Sequence, residues 1–117
     1  MTVTDRRTVR DSHTATYADP IRVTKGDTVF LTGREEVWDG HRWLWAVADD
    51  GREGWIPDDL VVQVDGRTVA ARDFSALELT CQAGETVEVV RQTHGWAWCR
   101  KGDGGEGWVP LRELSQP

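Results

Sequence analysis

A chain of 117 residues with 14 Lys and Arg against 20 Asp and Glu carries a formal net charge of −6, which disfavours non-specific nucleic-acid binding because phosphate neutralisation needs clustered cations. The segment after Met1 has no apolar h-region, and no run of about 18 apolar residues occurs anywhere, so neither a secretory signal nor a membrane span is expected and the expected location is cytoplasmic. With two cysteines, Cys81 and Cys99, and no histidine at ligand spacing, a zinc site is excluded and buried thiols are expected rather than a disulfide.

In chain order, residues 1–12 are locally basic, with Arg6, Arg7 and Arg10 beside Asp5 and Asp11, and read as a flexible lead-in. Short β-branched or aromatic runs predict strands at 21–23, 28–32, 43–47 and 54–56, then at 69–74, 77–81, 86–91, 96–100 and 107–109. Turns rich in Gly and Asp separate them, and no helix is predicted. After Pro57, Asp58-Asp59 reads as a short 3₁₀ turn capped by its acids. The histidines are scattered: His13 in the tail, His41 and His94 in loops.

The chain repeats itself. Lys25-Gly26-Asp27-Thr28-Val29, Trp43-Leu44-Trp45-Ala46 and Gly54-Trp55-Ile56-Pro57 recur in order as Ala83-Gly84-Glu85-Thr86-Val87, Trp96-Ala97-Trp98-Cys99 and Gly107-Trp108-Val109-Pro110. The Trp-x-Trp and Gly-Trp segments are offset by 53 residues and the Gly-Asp/Gly-Glu segments by 58, so the first copy carries about five extra residues in an internal loop, around Trp38. A period near fifty residues with tryptophan at fixed places implies a tandem of small modules. Units this small need large side chains for a core, which the seven tryptophans would supply. Five short strands per module without room for crossover helices give an all-β fold of two small five-stranded antiparallel barrels, with domains at 13–63 and 67–117. The first domain is acidic, with ten acids against five bases. Gln63 to Thr68 reads as a short link that holds the pair fixed or semi-fixed.

Ala70-Ala71-Arg72-Asp73-Phe74, Glu78-Leu79-Thr80-Cys81, Ala83-Gly84-Glu85, Trp96-Ala97-Trp98 and Gly107-Trp108-Val109-Pro110 together resemble an SH3 (Src-homology 3) domain, and the first copy matches from Ile21 to Pro57. The arrangement is similar to the tandem SH3-like proteins of bacteria. The resemblance implies a groove for an extended, polyproline II ligand, lined by Trp43 and Pro57 with Tyr17 in copy one, and by Trp96 and Pro110 with Phe74 in copy two. By the same match Trp43 and Trp96 stand exposed, while Trp45, Trp55, Trp98 and Trp108 are structural. The sequence departs from the family at Arg72, Leu60 and Glu113, where groove aromatics are usual. Its loop between Phe74 and Glu78 is only Ser75-Ala76-Leu77, which lacks the usual run of acids. Acids stand instead at Glu35, Glu36 and Asp39, near Trp38 and Trp43, where a basic peptide could be held by charge and cation–π contact.

No nucleophile motif, phosphate loop or titratable cluster is legible, so neither catalysis nor a cofactor is expected. The leading expectation is a cytoplasmic peptide-binding adaptor whose ligand is proline-rich or basic. The alternative is an accessory or regulatory subunit packed on a larger enzyme. Cell-wall binding is disfavoured without an export signal, and the sequence leaves monomer and homodimer open.

Overall fold

The computed structural model describes residues 5–17 and 19–116. It divides into two units: a central one, residues 18–77, and a composite one built from residues 1–17 and 78–117. The described strands are β1 (Asp5–Thr8), β2 (Arg22–Val23), β3 (Val29–Trp38), β4 (His41–Ala48), β5 (Glu53–Pro57), β6 (Val61–Val64), β7 (Arg67–Ala70), β8 (Phe74–Ser75), β9 (Thr86–Thr93), β10 (Trp96–Arg100) and β11 (Glu106–Pro110). Two 3₁₀ turns, Asp58–Leu60 and Leu111–Glu113, follow Pro57 and Pro110. Among the described residues no helix is long and apolar enough to cross a membrane.

In the central unit β3-β4-β5 form an antiparallel sheet, and β6-β7 and β2-β8 form two-stranded ladders. Alternation along β4 and β5 sends Ala46, Ala48 and Ile56 to the inner face, where they meet Ile21, Val29, Leu60 and Val69 in an aliphatic core. The composite unit is one sheet, β1-β9-β10-β11. Its core is Val9, Leu79, Cys81, Val87, Val89, Ala97, Cys99, Val109 and Leu114. The ladders remain separate sheets rather than closing into continuous barrels. The composite core cluster itself contains no tryptophan, although Trp43 in the central unit and Trp108 in the composite one are both buried at 6% exposure. The same alternation that buries Ala46 and Ala97 turns the Trp-x-Trp pairs to the opposite face, where Trp43 is nevertheless buried.

The two units exchange their leading strands. β1 stands at the start of the first repeat in sequence yet pairs with β9 of the second, Asp5 opposite Val89 and Thr8 opposite Thr86. Val9 bridges Leu114, and the main chains of His13 and Cys81 hydrogen-bond reciprocally, both at 2.8 Å. In mirror fashion, β7 and β8 open the second repeat yet pair with β6 and β2 of the first, and Thr28 bridges Val69. The bonds correspond one for one: Arg10 N–H donates to the Glu113 carbonyl as Ala71 N–H donates to that of Leu60, and Gly84 N–H donates to Val9 as Gly26 N–H donates to Ala70.

Several sequence expectations are thereby corrected. Residues 5–8 of the supposed flexible lead-in are a strand, because their main-chain groups complete the β9 ladder. Gln63 to Thr68 is not a link: it is the end of β6, a two-residue turn at Asp65 (φ 50°) and Gly66 (φ 77°), and the start of β7, all within the central unit. Ser75-Ala76-Leu77 is short because the chain there crosses from one unit to the other instead of turning back as a hairpin. Residues 77–81 form only isolated bridges, at Glu78 and Cys81. The extra residues of the first repeat lengthen β3, which bulges between Leu31 and Glu35. The 3₁₀ turn after Pro57 is present with both acids in its first turn, and Asp59 pairs with Arg72 at 3.0 Å.

Candidate functional site

The strand exchange regroups the candidate aromatic residues. Phe74, expected beside Trp96, lies in the central unit with Trp43 and Pro57, while Tyr17 lies in the composite unit with Trp96 and Pro110. In each unit the tryptophan stands directly across the ladder from the proline, Trp43 opposite Pro57 and Trp96 opposite Pro110.

The two groupings differ in access. Trp43 is only 6% exposed and Phe74 7%, so the expectation of an exposed Trp43 is corrected. The ring of Trp38 at the end of β3 covers it, centroid to centroid at 5.5 Å, and meets Trp55 edge-on at 5.1 Å. The Asp39-Gly40 turn, with φ of 52° and 81°, places Trp38 there by reversing the chain into β4. In the composite unit Trp96 is half-buried and Tyr17 is exposed.

The remaining tryptophans form a matched outer-face device in each unit. Trp45 meets Trp55 edge to face at 5.0 Å under the guanidinium of Arg34, and Trp98 meets Trp108 at 5.3 Å under that of Arg91. The second indole N–H of each Trp-x-Trp is held by a carboxylate, Trp45 by Glu53 at 2.8 Å and Trp98 by Glu106 at 3.1 Å. The bond from Trp98 lowers the pKa of Glu106, with Arg100 adding to the effect. Edge-to-face rings capped by a cation leave little open ring face, which suits a packing role.

The acids of the β3–β4 hairpin are partly engaged already. Glu35 accepts from Arg42, and Glu36 accepts the Trp38 indole N–H at 2.9 Å. Asp39 sits in the turn itself.

Sequence reasoning passed over a cluster in the composite unit. Nε2 of His13 lies 2.7 Å from Glu78 Oε1 and Nδ1 lies 3.1 Å from Glu113 Oε2, with the imidazole edge-on to Trp96 at 5.7 Å. The Glu78 contact is a hydrogen bond. The Glu113 contact acts chiefly through charge, as an ion pair. The hydrogen bond to Glu78 is the main cause holding His13 above its usual pKa, burial opposes it, and the charge of Glu113 adds to it. Glu113 was visible in sequence as a departure from the family pattern, but its partner His13 was assigned to a loose tail.

The cysteines are free and buried. Burial pushes the Cys99 thiol up to about 12, with Cys81 as a neighbour, which leaves both thiols poor nucleophiles.

A family model described as variant SH3 domain matches residues 7–64 and again residues 67–113. The first match begins within β1, so the arm belongs to the first repeat in sequence although it packs in the other unit. No curated protein and no solved structure matches the chain.

Proposed function

Because the chain belongs to the variant SH3 domain family and carries two copies of the domain, we propose that it is a non-enzymatic, cytoplasmic adaptor that binds an extended peptide segment of a partner protein. The binding groove is that of the composite unit, with Trp96 and Pro110 as its floor and Tyr17 as its exposed aromatic. The observation that carries this choice is the difference in access: Trp96 is half-buried, whereas its counterpart Trp43 lies beneath Trp38. In the central unit Trp43, Pro57 and Phe74 serve as packing, and the ligand surface is Trp38 with the acids Glu35, Glu36 and Asp39, which suit a basic segment.

An array of proline-rich and arginine-containing peptides tests this reading. Trp96→Ala is expected to weaken capture roughly tenfold or more, as loss of a central aromatic anchor does, while leaving the fold intact by circular dichroism. Trp38→Ala is expected to uncover Trp43 and to change which arginine-containing peptides are retained. Capture unchanged by Trp96→Ala would overturn the groove assignment.

A second reading, an accessory subunit held permanently on a larger chain, is supported by Phe30 (54% exposed), Leu31 and Val37 (66% exposed), which place apolar side chains at the surface along β3. It predicts stoichiometric co-purification that Trp96→Ala does not disturb.

A further inference from the structure

One histidine placed between two carboxylates fastens the N-terminal arm to the composite unit. The side chains are largely withdrawn from water: His13 and Glu78 are each 12% exposed and Glu113 is 19%. In the central unit, main-chain pairing identifies the equivalent positions as Phe74, Pro20 and Leu60, all buried. Three apolar residues of one unit are thus three ionisable residues of the other, and the histidine contacts both glutamates.

Such a cluster is complete only with a charged ring. Imidazolium donates from both nitrogens, whereas neutral imidazole donates from one and turns a lone pair toward the other carboxylate. Glu113 Oε2 is buried without a hydrogen bond among the described residues, so the His13 charge is what compensates it there. Because the carboxylates face opposite ring nitrogens, a single metal ion cannot take the place of the proton.

We infer that residues 10–17 dock on the composite unit through a proton-gated clasp: His13, when protonated, holds this end of the arm between Glu78 and Glu113, and its deprotonation loosens the segment and lays bare the edge of Trp96, while β1 and Val9 stay in place. The groups facing His13 are Glu78 from the segment before β9, Glu113 from the 3₁₀ turn, Trp96 from β10 and the Cys81 main chain, and the two glutamates are the charges that act on it. The pKa of His13 is raised in the docked state, so the clasp is at full strength below the ordinary imidazole value of about 6.5 and is lost as pH rises through the raised value. A carboxylate-only contact would show the opposite dependence. The switch does not depend on what the groove binds.

Amide hydrogen exchange on the full chain between about pH 5.5 and 8.5, corrected for intrinsic rates, tests it. The protection of the His13 and Cys81 amides relative to those of Val9, Ala97 and Val109 is expected to fall with rising pH, by up to about tenfold for each pH unit between the usual His13 pKa and the raised one. In His13→Gln the same ratio is expected to stay flat. A ratio that is flat in the wild-type chain, or that falls equally in His13→Gln, overturns the clasp. Should His13→Gln fail to fold, the His13 ring resonance of the wild-type chain supplies the check. Arm release with the same midpoint as the imidazole titration supports the clasp, and a different midpoint overturns it.

Discussion

Expressed alone, residues 18–77 are expected to fold, whereas residues 67–117, which correspond to the second sequence repeat, are expected not to. The 18–77 fragment contains every strand of the central unit, including β7 and β8, which lie beyond the end of the first repeat's β6. The 67–117 fragment keeps β9, β10 and β11 but loses β1, the Val9 bridge to Leu114 and the reciprocal His13–Cys81 pairing. Val9 is 1% exposed, and its burial alone is worth roughly 1.5–3 kcal/mol. A domain of this size is stable by only about 0.05–0.15 kcal/mol per residue, so losing Val9 together with a four-residue edge ladder removes most of its margin. A fragment of residues 13–63 fails for the complementary reason, since it lacks Val69, Ala70 and Phe74, all buried in the central core. Amide dispersion in proton–nitrogen correlation spectra distinguishes the cases, and a synthetic peptide of residues 5–17 added to residues 78–117 is expected to restore the dispersed spectrum. A 67–117 fragment that folds without the peptide would mean that β7 can pair with its own repeat, and the exchange would not be required for folding.

Much of the secondary structure was legible in sequence, and the reasons are local. The Trp-x-Trp strands, the Gly-Trp-x-Pro strands and the diverging turns at Gly26 and Gly84 declare themselves through side-chain period and turn chemistry, which depend on neighbours a few residues away. β1 did not, because Asp5-Arg6-Arg7-Thr8 has no apolar alternation: its register is set by β9, about eighty residues distant. β6 and β7 were hidden differently. Val61 to Val64 is apolar enough for a strand, but a contiguous reading of the repeats required a boundary near residue 65, and Asp65-Gly66 supplied a plausible one. A turn dipeptide reads the same in a link as in a hairpin. The candidate groove residues are grouped differently in the structure than in the sequence reading, since Tyr17 and Phe74 each lie in the other unit from the repeat they belong to. The His13 cluster was lost for the same reason: no sequence spacing relates residue 13 to residues 78 and 113 until the arm is placed.

Two glycines at equivalent places in the repeats, Gly54 and Gly107, are expected to respond unequally to alanine. Neither is held by a left-handed φ, so both are glycine because of what stands opposite. At Gly54 a Cβ would come within 2.9 Å of Ile21 Cγ2 and 3.3 Å of its nitrogen, so the nearest obstacle is a side-chain methyl that can turn. At Gly107 the obstacles are main chain: Leu79 N at 2.6 Å and Glu78 C at 2.7 Å. Relief there means moving the segment that carries Glu78, whose main chain bridges Trp108 and whose carboxylate holds His13. Overpacking against a side chain costs typically about 1–3 kcal/mol, and against immobile backbone more. Gly107→Ala is therefore expected to destabilise the composite unit by about 3 kcal/mol or more, a fall in its Tm on the order of 15 °C, and Gly54→Ala to cost the central unit about 1 kcal/mol. Thermal melts followed separately for the two units, through amides of Ala97 and Ala46, check both values. Equal losses would mean that the Glu78–Leu79 main chain yields as readily as the Ile21 side chain, and the arm's anchorage at Glu78 would then be softer than its hydrogen bonds imply.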